Sequence, residues 1–296
     1  MSGNKVKTIT VISGKGGTGK TSLAASFAVL AKPVVMADCD VDAANLHLLL
    51  KPEIKQRHDF YAMPVARIVQ EDCSQCGTCY DLCEFDAILK SDDDPPVYKI
   101  DPLVCEACLV CKEFCPEGAV AADDRKAGEW FESETRFGPM VHAHLGIAQE
   151  NSGKLVYQVR KVAAETAARQ GLDKVIVDGP PGIGCAVIAS ITGADIVVAV
   201  TEATLSGLSD LFRVYDLADH FRIPLRVIIN KADLNPEVTE KIKEWGHENN
   251  VKIMGEIPYD PAVSKAMVSG KAIVEVKDSK LTRTIESIWE DLDGVS

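Results

Sequence analysis

The sequence contains no apolar run approaching the roughly 20 residues that a membrane-spanning helix needs. Its opening, MSGNKVKT, lacks the apolar core of a secretory leader. A soluble, cytoplasmic protein with no stable membrane association is therefore expected. A surplus of positive charge is missing too: 32 Lys and Arg stand against 44 Asp and Glu, a net charge of −12. Broad nucleic-acid binding needs a basic face to displace counterions, so no nucleic-acid partner is expected. Cysteine is scarce outside one stretch. Eight of the ten cysteines fall between Cys73 and Cys115, leaving only Cys39 and Cys185 elsewhere. In a cytosolic chain such crowding suits metal ligation better than disulfides.

What is present is a globular composition, 46% apolar and 26% charged over 296 residues, enough for one large α/β domain or two smaller ones. Short Val/Ile-rich runs, among them Thr8 to Ile12, PVVMAD, DKVIVDGPPG, ADIVVAVTEA, LRVIINKAD and VKIMGEIPYD, are mostly separated by helix-length segments. Strands alternating with helices predict an α/β fold, a mostly parallel sheet flanked by helices with ligands at the carboxyl ends of its strands. Between residues 63 and 121 this rhythm breaks. From Arg67 to Ala121 there are 12 acids against 4 bases, compared with 32 against 28 elsewhere. We read residues 63–121 as a small inserted domain, and 1–62 with 122–296 as the main one. The aromatic, alternating GEWFESETRFG marks the return of strand.

Gly14-Lys15-Gly16-Gly17-Thr18-Gly19-Lys20-Thr21 satisfies G-x-x-x-x-G-K-[ST] between a strand and a helix. Its glycines let backbone N–H groups turn inward, and the helix N-terminus adds positive dipole where phosphates would sit. Lys20 is expected at the β/γ-phosphates and the Thr21 hydroxyl on Mg²⁺. Within the insertion, Cys73, Cys76, Cys79 and Cys83 recur as Cys105, Cys108, Cys111 and Cys115, a uniform shift of 32. Each C-x₂-C-x₂-C-x₃-C run supplies three thiolates to one 4Fe–4S cluster and a fourth to the other. That wiring assigns Cys73, Cys76, Cys79 and Cys115 to one cluster, and Cys83, Cys105, Cys108 and Cys111 to the second. Zinc is the alternative for four-cysteine sets, though zinc ribbons usually pair two C-x₂-C knuckles across a longer gap.

The second lysine of the phosphate loop, Lys15 in KGGTGKT, resembles the MinD/ParA-type P-loop ATPases, which include the nitrogenase iron protein. The resemblance implies that ATP closes a dimer, with Lys15 contacting the nucleotide of the opposite subunit. It further implies that Asp40, in Asp38-x-Asp40 followed by Asn45-Leu46, positions or deprotonates the attacking water, and that Asp38 acts near the metal. Asp178 in VIVDGPPGIG would approach Mg²⁺ from a Walker-B-like strand end. Asn230 in IINKAD would read the base, with Pro258 of IPYD on the adenine side. Asn230 to Asp233 also spells N-K-x-D, which would favour GTP in a GTPase; ATP is the expectation here.

The insertion resembles bacterial two-cluster ferredoxins, including Pro116 after Cys115, and departs from them at Glu84 after Cys83. Together the two resemblances imply a P-loop ATPase with an inserted small α+β ferredoxin-like domain. Its cofactors would be ATP, Mg²⁺ and two 4Fe–4S clusters. It would work as a homodimer, or as a heterodimer with a related ATPase, on a redox or metallocofactor client. Driving electron transfer and carrying a cofactor to a client both remain open.

Three further residues invite a role. Cys185, seven residues after Asp178, lies on the second switch, where the nitrogenase iron protein has a cluster-ligating cysteine; packing is the plainer expectation. His142 and His144 share a face of a predicted strand, which suits a metal or partner site as well as a core-edge pair. The C-terminal LTRTIESIWEDLDG is expected to pack on the core.

Overall fold

The computed structural model describes residues 5–146, 152–276 and 280–294. The chain begins β1 (Lys7–Ser13), α1 (Lys20–Leu30), β2 (Val35–Asp38), α2 (Leu46–Leu50) and β3 (Glu53–Tyr61). Four short strands follow, β4 (Val65–Ile68), β5 (Ile88–Lys90), β6 (Tyr98–Ile100) and β7 (Val120–Asp123), with one-turn helices α3 (Thr78–Asp81) and α4 (Val110–Glu113). Strands β8 (Lys126–Thr135) and β9 (Gly138–Leu145) lead to α5 (Ser152–Gln170). Alternation then resumes through β10 (Lys174–Pro181), α6 (Cys185–Ile191), β11 (Ile196–Glu202), α7 (Leu205–His220), β12 (Leu225–Asn230) and α8 (Pro236–Glu248). The chain closes with β13 (Lys252–Ile257), α9 (Pro261–Val268) and α10 (Lys280–Asp293).

Two compact units result. The larger comprises the chain up to His58, Trp130–His144, and everything from Ser152 on. Its sheet has the order β13-β12-β11-β1-β10-β2-β9-β8-β3. The central pairs β1·β10, β1·β11, β10·β2, β11·β12, β12·β13 and β2·β9 are all parallel. In β1 residues 9–13 are buried without a break, and every residue of β11 is buried. Continuous burial is why these runs read as solid Val/Ile rather than alternating: helices cover both faces. One face packs on α1, α2 and α10, with Phe27 against Trp289 at 5.3 Å. The other packs on α6, α7 and α8. Along α10 the buried Leu281, Ile285, Ile288, Trp289 and Leu292 form one stripe, so this helix docks on the sheet.

The smaller unit runs from Asp59 to Glu129 with a short stretch from Leu145. Its two antiparallel pairs are β4·β7 and β5·β6. The sequence repeat is a structural repeat: α3 and α4 are offset by 32 residues, as are the positive-φ positions Gln75 and Ala107, Gly77 and Leu109, Asp86 and Gly118. Turn hydrogen bonds repeat as well. Tyr80 N donates to Gly77 O at 2.9 Å and Lys112 N to Leu109 O at 3.0 Å. Ala66, Ile68, Ile88, Tyr98 and Val120 form the core, and the cysteines pack in and around it.

Candidate functional site

At the carboxyl ends of the central strands, the segment from Gly14 to Thr21 bends from β1 into α1. Gly17 and Gly19 adopt φ of 80° and 90°, a left-handed conformation that a Cβ disfavours. A side chain at Gly19 would also strike the Asn230 amide, and one at Gly14 would strike Asp210 of α7. The loop is tied from behind. Asn230 Nδ2 donates to Thr18 O at 2.7 Å and Lys231 Nζ to Gly17 O at 3.3 Å, while Ser13 Oγ donates to Lys15 O at 2.7 Å. The Asn230 amide also accepts Lys231 N at 3.0 Å, so both its ends are engaged in shaping the loop.

Lys20, the first residue of α1, is buried and donates to Asp178 Oδ1 at 2.7 Å, with Asp40 Oδ2 at 3.6 Å. Burial alone would lower its pKa; the adjacent Asp178 reverses the sign, so the ammonium form is favoured. Asp178 lies in register with Asp38 on the neighbouring strand, and Asp38 in register with His142 on β9. This row is a product of parallel pairing between residues far apart in the chain. Burial, reinforced by the Asp178 charge, holds the Asp38 carboxyl well above the usual carboxylate range. Asp40 is raised more mildly, by burial against the pull of Lys20. One oxygen of each strand-end acid, Asp38 Oδ2 and Asp178 Oδ2, is buried without a hydrogen-bond partner, as is Thr18 Oγ1. Lys20 Nζ bridges Asp178 Oδ1 at 2.7 Å and the Thr21 hydroxyl at 3.5 Å, and orphaned carboxylate oxygens beside a hydroxyl are a donor set suited to Mg²⁺.

Lys15 is paired within the chain, its Nζ 3.1 Å from Glu202 Oε2 and 3.1 Å from Ser206 Oγ. Lys231 takes the other Glu202 oxygen. Burial would raise the Glu202 pKa, but Lys231 and Lys15 more than offset this and lower it. Glu202 is absent from the residues the sequence singles out. Its signal was an acid closing ADIVVAVTEA, at the carboxyl end of a central parallel strand. On the loop beyond β13, which contains Pro258, Tyr259 N donates to Asp233 Oδ1 at 2.6 Å, and Ala232 N to Ile257 O at 3.0 Å. The NKAD and IPYD segments are thus joined.

His142 and His144 do share a face of β9, both rings stacking on Phe131 at 5.0 and 5.7 Å. His142 is buried and hydrogen-bonded to Ser133 Oγ at 2.9 Å, with its pKa lowered to about 4 by burial and by His47 and His144 nearby. Its Nε2 is engaged with a hydroxyl rather than free. Cys39 is fully buried, and burial pushes its thiol up. Cys185 departs from the packing role expected of it: as the first residue of α6, directly after Gly184, it is exposed.

In the smaller unit the eight remaining cysteines sort into two cavities of about 330 and 350 Å³, open mouths included. Cys73, Cys76, Cys79 and Cys115 line the first; Cys83, Cys105, Cys108 and Cys111 line the second. Each cavity takes three cysteines from one run and the fourth from the other. Among the described residues, no three His, Cys, Asp or Glu side chains are gathered into a grip for a single metal ion. Gln75 N approaches Cys73 Sγ at 3.4 Å, Ala119 N approaches Cys115 Sγ at 3.3 Å, and the Cys76 sulfur lies 3.3 Å from Thr78 Oγ1.

Residues 9–273 match the model of the CobQ/CobB/MinD/ParA nucleotide-binding domain. An uncharacterised protein of Methanocaldococcus jannaschii is 31% identical over 287 residues, covering 96% of this chain and 95% of that one. Over 68 residues, 22% of this chain and 83% of the relative, the chain is 32% identical to the 7Fe ferredoxin of Hydrogenibacillus schlegelii. Among solved structures, the septum site-determining protein MinD with Mg-ADP, from Pyrococcus horikoshii, aligns at a TM-score of 0.58. The match covers 98% of this chain and 96% of that one at 18% identity, a likeness of fold.

Proposed function

The chain belongs to the CobQ/CobB/MinD/ParA nucleotide-binding family, as an ATP-binding ATPase of the MinD/ParA type, and on that premise we propose that it couples a nucleotide-driven dimer switch to electron transfer through two 4Fe–4S clusters. The observation that carries this reading is the sorting of eight cysteines into two four-cysteine cavities with the fourth ligand exchanged. That arrangement suits cluster ligation, in which thiolates surround a body larger than one ion. The 7Fe ferredoxin relative lends support from sequence. Bound clusters supply one-electron chemistry at low potential.

In this reading residues 63–121 are an inserted ferredoxin-like domain and the rest is the ATPase. Lys20 leaves Asp178 for the β/γ-phosphates of ATP. Asp38, Asp178 and the Thr21 hydroxyl would hold Mg²⁺, which would neutralise phosphate charge there. Asp40, half-buried beside Lys20, orients the attacking water and takes its proton. Lys15 leaves Glu202 and reaches the nucleotide held by the partner subunit, which closes the dimer. Phosphoryl transfer needs little beyond such positioning and charge neutralisation. The electron acceptor is a client protein.

The test is anaerobic purification followed by iron and sulfide analysis and electron paramagnetic resonance. About eight irons per chain are expected, retained through incubation with an apo-acceptor. Stoichiometric zinc would defeat the reading. Rapid transfer of iron to the acceptor would replace electron donation by cofactor delivery.

A further inference from the structure

The internal repeat provides a control that few surfaces offer: each position beside one cysteine cavity has a counterpart, 32 residues away, beside the other. Comparing the two mouths shows that they differ in chemistry. Around the second cavity, Phe85, Leu103, Val104 and Val110 are exposed, Leu103 to 76% and Phe85 to 43%. Their counterparts beside the first cavity are Glu117, Glu71, Asp72 and Thr78. The same backbone therefore accepts polar residues at all four positions, and the fold does not demand apolar ones. Apolar surface left in water forgoes about 25 cal/mol per Å², and such patches mark sites of association.

The charge around this mouth is mostly negative, with Arg125 Nη1 donating to Pro102 O at 2.9 Å beside Leu103. Segments 81–86 and 103–114 carry Asp81, Glu84, Asp86, Glu106 and Glu113, with Lys112 as their one base. All five acids are exposed, and among the described residues none of them enters an ion pair. An apolar centre with an acidic rim complements a surface of opposite rim charge.

We propose that the mouth of the Cys83/Cys105/Cys108/Cys111 cavity is the docking surface for a redox protein whose apolar contact spot is ringed by Lys and Arg, and that the mouth of the first cavity is not. This rests on the two-cluster reading above. The exchange is a single electron from the reduced chain to the partner's oxidised centre, with no bond made or broken.

The probe is ferric cytochrome c, a redox protein with a lysine rim, and the protein is the full chain purified anaerobically. The variant is L103Q/V104N, which replaces apolar surface by neutral polar groups of the size found at the counterpart positions, adds no charge and touches no wall of either cavity. Val268 of the larger unit, apolar and 91% exposed, changed as V268Q, is the control. Affinity is measured by calorimetry on the oxidised proteins. One-electron reduction of the ferric haem is followed by stopped flow after reduction with dithionite and its removal. Iron content and resonance spectra should match wild type in both variants. L103Q/V104N should weaken binding about tenfold or more and slow second-order haem reduction in parallel. V268Q should change neither, and added salt should weaken wild-type binding. Full iron content with unchanged affinity in L103Q/V104N would overturn the docking surface alone. A wild-type chain without iron would overturn the two-cluster reading and the docking surface with it.

Discussion

Asp38 and Asp178 lie directly opposite each other on adjacent parallel strands, each with one carboxylate oxygen buried and without a hydrogen-bond partner. Two acids so placed repel one another, and Lys20, 2.7 Å from Asp178 Oδ1, offsets that repulsion only in part. Because the folded-state pKa of Asp38 is raised, its destabilisation is absent in acid and grows as pH rises from the unfolded value, 3.8, through the folded one. Asp38→Asn should stabilise the nucleotide-free protein at neutral pH by about 1–3 kcal/mol, the scale of relieving one unsatisfied buried group. It should also abolish stabilisation by Mg²⁺. Thermal melts with and without MgCl₂ decide the matter; equal Mg²⁺ shifts in both proteins would refute it.

Lys20 is the cation that now offsets those acids. Removing one member of a buried pair strands the other, at a cost of about 3–5 kcal/mol. Lys20→Ala should accordingly unfold at lower urea as well as lose ATP binding. The double variant Lys20→Met/Asp178→Asn should regain much of the stability without regaining ATP binding. Failure of the second substitution to restore any stability would show that the pair is not the source of the loss.

If Lys15 reaches across a dimer as proposed, its contact with Glu202 would set a threshold for closure. Both side chains are partly exposed, so the pair contributes no more than about 1 kcal/mol. Glu202→Gln should let dimers form at about fivefold lower ATP, and Lys15→Ala should prevent them. Light scattering across an ATP titration reads both, ideally in an Asp40→Ala background that slows hydrolysis. A dimer that forms in Lys15→Ala as readily as in wild type would contradict the role of this lysine.

His142 should mark the acid limit of the larger unit. Its folded pKa, about 4, lies below the ordinary 6.5, so the fold holds the neutral ring. The stability this supplies is complete above 6.5 and is lost as pH falls toward 4, a span equivalent to about 3 kcal/mol. His142→Gln should flatten the denaturation midpoint over that window. Parallel pH curves for the two proteins would assign the acid sensitivity elsewhere.

Base choice should favour ATP. The Asp233 carboxylate, which in an N-K-x-D motif would hold guanine, accepts the Tyr259 N–H at 2.6 Å. Competition binding should rank ATP at least tenfold above GTP, and Asp233→Asn should weaken the loop without reversing the order. Equal affinity for the two nucleotides would reinstate the guanine reading.

The motifs legible in the sequence are those whose chemistry is local. Glycines at 17 and 19 declare a left-handed loop, and cysteines at a shift of 32 declare a duplicated turn, because neighbours in the chain build both. Relationships that depend on register between distant strands were not legible. Glu202 meets Lys15 across 187 residues, and His142 reaches Asp38 only through the pairing of β9 with β2. Strand β3, EIKQRHDFY, was missed for a different reason. At the sheet edge it is exposed at nearly every position, so it shows neither alternation nor an apolar run. The exposure of Cys185 was equally hidden, since it depends on where α6 begins.

The exchange of the fourth cysteine makes the two repeats of the smaller unit interdependent. Cys83 belongs to the first run yet lines the second cavity, and Cys115 does the reverse. Neither repeat, cut free, carries a complete wall. Damage is likewise not confined to the half that suffers it: losing Cys83 leaves its own run's cavity whole and breaches its neighbour's. The two repeats are thus one chemical unit, since a substitution in either run opens a wall that the other run depends on.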